Sequence, residues 1–515
     1  MIIKGFVKKG EYFDSVSLML VAKEINNIKG VIDSAIVMGT KENKAILNIS
    51  GLYLPEFSES CDTDLLIAFK AEQTDVIDFA LNEVKNQFEK IRNKSDNSEN
   101  FSPKSLDGAL KILPDANFSL ISIAGKYAAS EAMKALKNDM HVMLFSDNVT
   151  ISEELELKQY AREKGLLVMG PDCGTAIING VPLAFANVVN KGNIGIIAAS
   201  GTGLQEVSCI ISNEGAGISQ AIGTGGRDVK KDIGGIMFIE AFKSLKEDNE
   251  TKVIVLISKP PHDEVLKKIA TEIKICNKPV VTILIGGNTD IIENAGGIVA
   301  TTLEEAGLIA AYLSKGIDIK IVKNIINNTK SELNRQAQNI AKSAKGKYIR
   351  GLFSGGTLCD EAQLIMKNSI GFVYSNTPLN PEYKLESAWN CFENSIVDLG
   401  DDEFTVGRPH PMIDFSLRNK KILEEAKNPD VSIILLDVVL GYGSNLNPVS
   451  ELLPVVEQAK QINQNIIIIC SVTGTNKDPQ NKEFVKSELE KAGVIVLNSN
   501  AAASELSGNI IKLLK

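Results

Sequence analysis

The chain has 515 residues, of which 44% are hydrophobic, 23% charged and only 5% aromatic, and its net charge is −9. This length is too great for one core and predicts three or four globular domains. An acidic chain without a basic tract is not expected to bind nucleic acid, and its longest apolar runs have strand length, which predicts no membrane span.

The cysteine and histidine content predicts a cytoplasmic protein without a metal site. Seven cysteines occur without Cys-x-x-Cys spacing, which favours reduced thiols. The three histidines are far apart, so no metal-ligand cluster is expected. The first residues lack the long apolar stretch and small-residue cleavage site of a signal peptide.

In chain order, residues 1–91 read as a small α+β domain, with strands expected at Ile2–Val7, Val31–Met38 and Asp64–Phe69. A polar linker follows. From about residue 105, strand-like and helix-like segments alternate, which predicts βαβ units and parallel sheets covered on both faces. The expected domains are a Rossmann-like one over 105–190 and two larger α/β ones over 191–316 and 345–515.

The two larger domains use one pattern twice. The apolar run Ile194–Ala199 and the apolar run Tyr348–Phe353 each end in a small, glycine-rich turn before a helix-like stretch. Backbone N–H groups at a helix start, together with the helix dipole, favour an anion such as phosphate. The residues predicted to bind phosphate are Ser200, Gly201, Thr202 and Gly203 in the first turn, and Ser354, Gly355, Gly356 and Thr357 in the second. Because matched strand ends occur in matched order, we expect duplicated halves that hold one anion between them.

Other residues after strand ends complete the predicted site. Arg227 and Arg408 lie in glycine-bearing loops and are the expected charge partners, with surface ion pairs as the alternative. His410, between two prolines, is the expected proton carrier. Further wall residues are Gly225 and Gly226 beside Arg227, and Thr473, Gly474, Thr475 and Asn476 after the last long strand.

Several of these motifs together resemble the α subunit of succinyl-CoA synthetase. They are Gly170-Pro171-Asp172-Cys173-Gly174, Ser200-Gly201-Thr202, Ile222-Gly223-Thr224-Gly225-Gly226 and Lys278-Pro279-Val280-Val281. The stretch from Val472 to Asn476 is similar to a turn in the ligase domain of the β subunit. Taken in order over about residues 105–515, with the extra N-terminal domain, the series resembles the FdrA group of this superfamily. The resemblance implies a CoA-binding-like Rossmann domain followed by two ligase-CoA-like, flavodoxin-like domains.

Two departures from the synthetases bear on the chemistry and on the cofactor. Asn294 stands where they have the histidine that takes up a phosphoryl group, and asparagine has no nitrogen lone pair for that step. No Gly-x-x-Gly-x-x-Gly turn precedes Ser119, so CoA is an open cofactor rather than an assigned one.

The FdrA resemblance implies a subunit of a multi-subunit carbamoyltransferase that acts on oxamate and carbamoyl phosphate in allantoin catabolism. Its ligands would be an acyl phosphate and an acceptor, and other subunits would be its partners. Two alternatives stay open, an acyl-CoA synthetase with another phosphate acceptor and a non-catalytic scaffold.

Overall fold

The computed structural model describes residues 2–11, 13, 15–26, 28–96, 103, 105–405 and 409–514. Contacts divide the chain into two compact units. One consists of residues 1–116, 122–127 and 402–410, and the other of residues 117–121, 128–401 and 411–515. In the described ranges, no helix combines the length and the apolar character that a bilayer crossing requires.

The first unit is the expected small α+β fold, built on a three-stranded antiparallel sheet in the order β1-β3-β2. Its strands are β1 (Ile2–Lys8), β2 (Val31–Met38) and β3 (Leu65–Ala71). Its helices include α1 (Ser15–Asn26), α2 (Lys41–Ile49), α3 (Thr74–Asp96), α4 (Leu106–Ile112) and α14 (Asp402–Thr405). Helices α1 and α3 bury Ile25 and Ala80 against Phe69 of the central strand, which supplies this unit with its own core.

The second unit contains three sheets, the smallest of which is parallel with the order β4-β5-β6. Its elements are β4 (Phe118–Ile121), α5 (Gly125–Lys137), β5 (His141–Leu144), α6 (Ile151–Lys164) and β6 (Val168–Met169). Thr150 and Glu153 form a capping box at the start of α6, and Gly165 ends that helix in the left-handed conformation.

A seven-stranded sheet follows, in the order β13-β12-β11-β9-β10-β7-β8. Its strands are β7 (Thr175–Ile178), β8 (Val181–Ala184), β9 (Lys191–Ala198), β10 (Ile218–Gly223), β11 (Val253–Ser258), β12 (Val280–Leu284) and β13 (Ile298–Val299). Its helices are α7 (Gly201–Asn213), α8 (Ile236–Glu247), α9 (Asp263–Lys274), α10 (Asp290–Asn294), α11 (Leu303–Ser314) and α12 (Ile319–Ala341).

This sheet is parallel from β10 to β13, as the alternation predicts, but β7 and β8 form an antiparallel hairpin at its edge. Asn179 and Gly180 turn the hairpin with φ values of 52° and 83°. Asn-Gly is a strong signal for such a turn. The sheet therefore starts upstream of residue 191.

The third sheet is fully parallel, in the order β15-β14-β16-β17-β18. Its strands are β14 (Tyr348–Phe353), β15 (Ser395–Asp398), β16 (Val431–Val439), β17 (Ile467–Thr473) and β18 (Ile495–Leu497). Its helices are α13 (Gly356–Ile370), α15 (Ser416–Ala426), α16 (Pro448–Ile462), α17 (Lys482–Lys491) and α18 (Asn500–Leu514).

The two larger sheets are related halves that support each other. Glu206 on α7 and Glu361 on α13 each follow the first residue of their helix by five positions. Glu206 accepts the N–H of Asn500 at the start of α18 at 3.0 Å, and Glu361 accepts the N–H of Leu303 at the start of α11 at 2.7 Å. Each half thus caps a helix of the other half with an equivalent glutamate, which the internal duplication explains.

Candidate functional site

The first turn leaves part of its helix start open to solvent. Ser200, in extended conformation, is the N-cap of α7, and its Oγ accepts the N–H of Gly203 at 3.0 Å. Gly201 is exposed and Thr202 is half-buried. No described residue accepts the N–H groups of Gly201 and Thr202. These two donors, at the positive end of the helix dipole, can therefore hold an anion.

The second turn is built alike but is already occupied by a side chain of the protein. The carboxylate of Asp437, in β16, accepts the N–H of Ser354 at 2.7 Å, the hydroxyl of Ser354 at 2.9 Å and the N–H of Gly355 at 2.8 Å. Burial raises the pKa of Asp437, and the fully buried Arg418 beneath it opposes that shift. Arg418 donates to the Asp437 carboxylate at 3.2 Å and to its backbone oxygen at 2.6 Å.

The structure brings the two turns into direct contact. The hydroxyl oxygens of Ser200 and Thr357 lie 2.6 Å apart. A Cβ added to Gly355 would lie 2.9 Å from Cγ2 of Thr202, so the close approach requires glycine at this position. What the second turn still offers to a ligand is the start of α13 at Gly356 and Thr357, whose N–H groups no described residue accepts.

Three charged side chains that the sequence analysis did not single out lie at this junction. Lys259, just after β11, pairs with Asp360 of α13 at 2.6 Å. Asp398 ends β15, and one of its oxygens lies 2.7 Å from the position that a Cβ would take on Gly356. The pKa of Asp398 is raised to about 7, chiefly by burial and also by the carboxylates of Asp360 and Asp401, against the N–H of Gly400 and Lys259.

A sequence signal for these residues exists. Asp398, Asp437 and Lys259 lie in or just after apolar strand runs of parallel sheets. Side chains at the carboxyl ends of such strands meet at one edge of the sheet, where ligands sit. Asp437 in particular is the sole charged residue within the fully buried strand Val431–Val439, and a buried charge needs a partner.

Arg227 forms its contacts with α6 and with the residues just before that helix. Its guanidinium pairs with the buried Glu154 of α6 at 2.9 Å and donates to the backbone oxygen of Val149 at 2.8 Å. The neighbouring Gly225 has a φ of 82° and fits closely against Pro171. Gly226 passes the end of β9, where an added Cβ would lie 3.9 Å from the oxygen of Ala199.

The loop after β17 runs along α7 rather than at its first residue. Thr473 donates its hydroxyl to Glu206 at 2.5 Å, and the oxygen of Gly474 accepts the amide of Asn213 at 3.0 Å. Thr475 donates to the oxygen of Val188 at 2.7 Å. Asn476 lines a pocket of about 480 Å³ between the two halves. The charged residues of that pocket are Glu214, Glu304, Glu483, Glu505, Lys330 and Lys482.

Arg408 lies outside the described residues. His410 belongs to the first compact unit, and burial lowers its pKa to about 4, so its imidazole is neutral at neutral pH. Asn294 is exposed at the end of α10.

Matches to family models identify the class of protein to which this chain belongs. Residues 352–510 match the CoA-ligase family model, and residues 189–286 match the model of the CoA binding domain. Residues 1–103 match a model described as "AllF, heavy metal-associated domain". The chain therefore carries domains of the succinyl-CoA synthetase type.

A relative that matches over its full length identifies the family more closely. The uncharacterized protein YahF of Escherichia coli is 40% identical over 520 residues, which are 99% of each chain. The chain belongs to the FdrA family of the succinyl-CoA synthetase superfamily.

More distant relatives match over part of their length. An α subunit of succinate–CoA ligase from Staphylococcus epidermidis is 28% identical over 181 residues, which cover 34% of this chain and 57% of that protein. The α subunit 2 from Archaeoglobus fulgidus is 29% identical over 33% of this chain and 60% of its own. Among solved structures, PH0766 from Pyrococcus horikoshii is 16% identical, with a TM-score of 0.33 over 80% of this chain and 89% of its own.

The family model that matches the N-terminal unit is described as heavy metal-associated. In the part of the chain that the structure describes, no group of three or more His, Cys, Asp or Glu side chains could hold a metal. Cys61, which is exposed in this unit, contacts the hydroxyl of Thr63 at 3.2 Å.

Proposed function

We propose that this FdrA-type protein is a subunit of a carbamoyltransferase that acts on oxamate and carbamoyl phosphate in allantoin catabolism. The observation that carries the proposal is the contact between the two turns, in which the hydroxyls of Ser200 and Thr357 lie 2.6 Å apart beside the open start of α7. The AllF description of the N-terminal family model agrees with ureide catabolism. The proposal includes the four domains at 1–91, 105–190, 191–316 and 345–515, partner subunits and a cytoplasmic location.

The chain's own groups suffice to hold an acyl phosphate. The N–H groups of Gly201 and Thr202 would donate to the phosphate, with Lys259 at the same junction as a cation. As the acceptor nitrogen attacks the acyl carbon, the bond from that carbon to the phosphate oxygen breaks, and the phosphate leaves with the electron pair. The proton that the acceptor nitrogen loses ends on the departing phosphate. Fixed N–H donors stabilise the charge that develops on the leaving phosphate without forming a covalent enzyme intermediate.

Arg227, Arg408 and His410 remain part of this proposal as charge partners and proton carrier. Arg227 is the member whose present contacts are known, and only 41% of its side chain is exposed beside the buried Glu154. If it serves the phosphate, it must exchange part of that pairing when the ligand binds. Arg227→Ala and Arg408→Ala are then expected to abolish turnover while the fold persists.

A CoA ligase is the second candidate, because two CoA-type family models match this chain. The 480 Å³ pocket does not fit CoA, since its four glutamates outnumber its two lysines and CoA is a polyanion. A non-catalytic scaffold is the third candidate, and it should tolerate substitutions in the turns.

A thermal-shift panel on the purified chain, alone and with candidate partner subunits, tests the proposal with phosphate, carbamoyl phosphate, CoA and ADP. A ligand at 100 times its Kd adds roughly 2.7 kcal/mol to the free energy of unfolding. We expect stabilisation by phosphate and carbamoyl phosphate that is weakened in Lys259→Ala and unchanged in Lys243→Ala, a surface control paired with Glu240. Stabilisation by CoA alone would transfer the assignment to the ligase.

A further inference from the structure

Asp398 is a buried carboxylate with one oxygen to spare. Its side chain belongs to a residue that is only 8% exposed, and its Oδ1 accepts the N–H of Gly400 at 2.9 Å. No residue in the described ranges donates to Oδ2. Oδ2 keeps some contact with solvent although the residue as a whole is buried, so a ligand can reach it and bring a donor.

The free oxygen faces the junction of the two turns. Oδ2 lies 2.7 Å from the Cβ position of Gly356, and the next residue, Thr357, touches Ser200 of the first turn. One small molecule can therefore reach the N–H donors of the first turn with one end and Asp398 with the other.

The charge of Asp398 determines the orientation of the ligand in this site. A carboxylate repels a phosphate, so the phosphate belongs on the open N–H groups of Gly201 and Thr202, and Asp398 faces the rest of the ligand. An acyl group that carries an N–H can donate to Asp398, whereas an acetyl group presents only a methyl.

Resting on the proposed function, we propose that Asp398 determines the specificity of the site and selects acyl phosphates whose acyl group carries an N–H donor. The recognised group is then the amide nitrogen of a carbamoyl phosphate, held by an N–H to carboxylate hydrogen bond. Asp398 contacts the ligand directly in this arrangement, and Lys259 and Asp360 form an ion pair of their own.

The test uses two stable analogues that differ in a single group. Phosphonoacetamide carries NH₂ where acetonylphosphonate carries CH₃, and both keep the phosphonate and the carbonyl. Isothermal titration calorimetry on the full chain at about pH 8, where Asp398 with its pKa of about 7 is mostly ionised, gives the Kd of each. We expect the amide to bind roughly tenfold more tightly, as one hydrogen bond to a charged group provides.

Variants separate recognition from folding. Asp398→Ala should bind the two analogues equally, and Asp398→Asn, which retains an acceptor oxygen and removes the charge, should retain a smaller preference. Glu361→Gln is the matched control, because Glu361 is equally buried on α13 but accepts N–H groups of Leu303 and Asn500 instead. This control should keep the full tenfold ratio.

The outcomes for the two proposals differ. Equal affinity of the wild-type chain for both analogues, with both displaced by inorganic phosphate, overturns the role of Asp398 and leaves the acyl-phosphate site standing. Failure of both analogues and of phosphate to bind overturns the site itself and the specificity with it. If Asp398→Ala keeps the full tenfold preference, another residue causes that preference and the role of Asp398 is overturned.

Discussion

The two glycine-rich turns share a sequence pattern and differ in what fills them. At the second turn, Asp437 occupies the N–H groups of Ser354 and Gly355, with the buried Arg418 behind it. At the first turn, the backbone oxygen of Ile257 accepts the N–H of Ala199 at 2.9 Å, no described residue accepts the N–H of Ser200, and Gly201 is exposed. A buried carboxylate thus fills the turn before the helix in one half, whereas no described side chain fills the corresponding turn in the other half.

This difference shows that a helix start acts as a ligand site only where the protein leaves its donors free. Asp437 satisfies the N–H groups of Ser354 and Gly355, which are therefore closed to a phosphate. The helix starts themselves are alike, since no described residue accepts the N–H groups of Gly201 and Thr202 or those of Gly356 and Thr357.

The largest expected effect comes from emptying the second turn. Asp437→Ala leaves Arg418 as a buried unpaired charge and orphans two N–H groups, so we expect a loss of about 3–5 kcal/mol in the free energy of unfolding. Urea unfolding measures it. The double variant Asp437→Ala, Arg418→Met removes the whole pair and should recover much of the loss. A double variant less stable than the single one would contradict the assigned role of the pair.

The next effect compares one glycine from each turn. Gly355→Ala puts a methyl group 2.9 Å from Thr202 and 3.2 Å from Asp437, so we expect a destabilisation of about 1–3 kcal/mol. Gly201→Ala meets only the hydroxyl of Thr175 at 3.4 Å and should be close to neutral. Thermal unfolding of the two variants measures both losses of stability. Equal losses would contradict the closer packing of Gly355.

A smaller effect concerns the contact that joins the turns. Thr357→Val removes the hydroxyl that meets Ser200 at 2.6 Å while it keeps the side-chain shape, and about 1 kcal/mol should be lost. Thr357→Ser, which retains the hydroxyl, is the control. If valine and serine behave alike in denaturant unfolding, the hydroxyl pair contributes nothing to the junction.

The smallest effect is a change in pH dependence. Burial raises the pKa of Glu361 to about 7, with a further contribution from Glu206 and Glu304, against the N–H of Leu303 and the amide of Asn500. A carboxyl that titrates higher when folded than when unfolded binds more protons in the folded state, so its stabilising contribution is lost as pH rises from about 4.5 to about 7. Melting temperatures from pH 5 to 8 should decline less steeply in Glu361→Gln, and an unchanged slope would contradict this linkage.

Sequence determined much of this protein because its signals are local. Buried strand runs such as Val253–Ser258 and the turn glycines mark a parallel α/β fold, and the repeated strand–turn–helix pattern marks the duplicated halves. The order of motifs identified the family. The antiparallel hairpin at the edge of the large sheet is not among the expected elements, although the Asn179-Gly180 pair is typical of a hairpin turn.

Only the tertiary structure decided which charges meet the turns. Asp398, Asp437 and Lys259 come from three different strand ends, and their distance in sequence from Gly201 and Gly356 hides that they converge. Parallel pairing aligns the carboxyl ends of strands that are far apart in the chain, so the side chains after them become neighbours only once the sheets and the two halves have packed. A local pattern specifies a helix start, whereas the occupant of that start depends on contacts between distant segments.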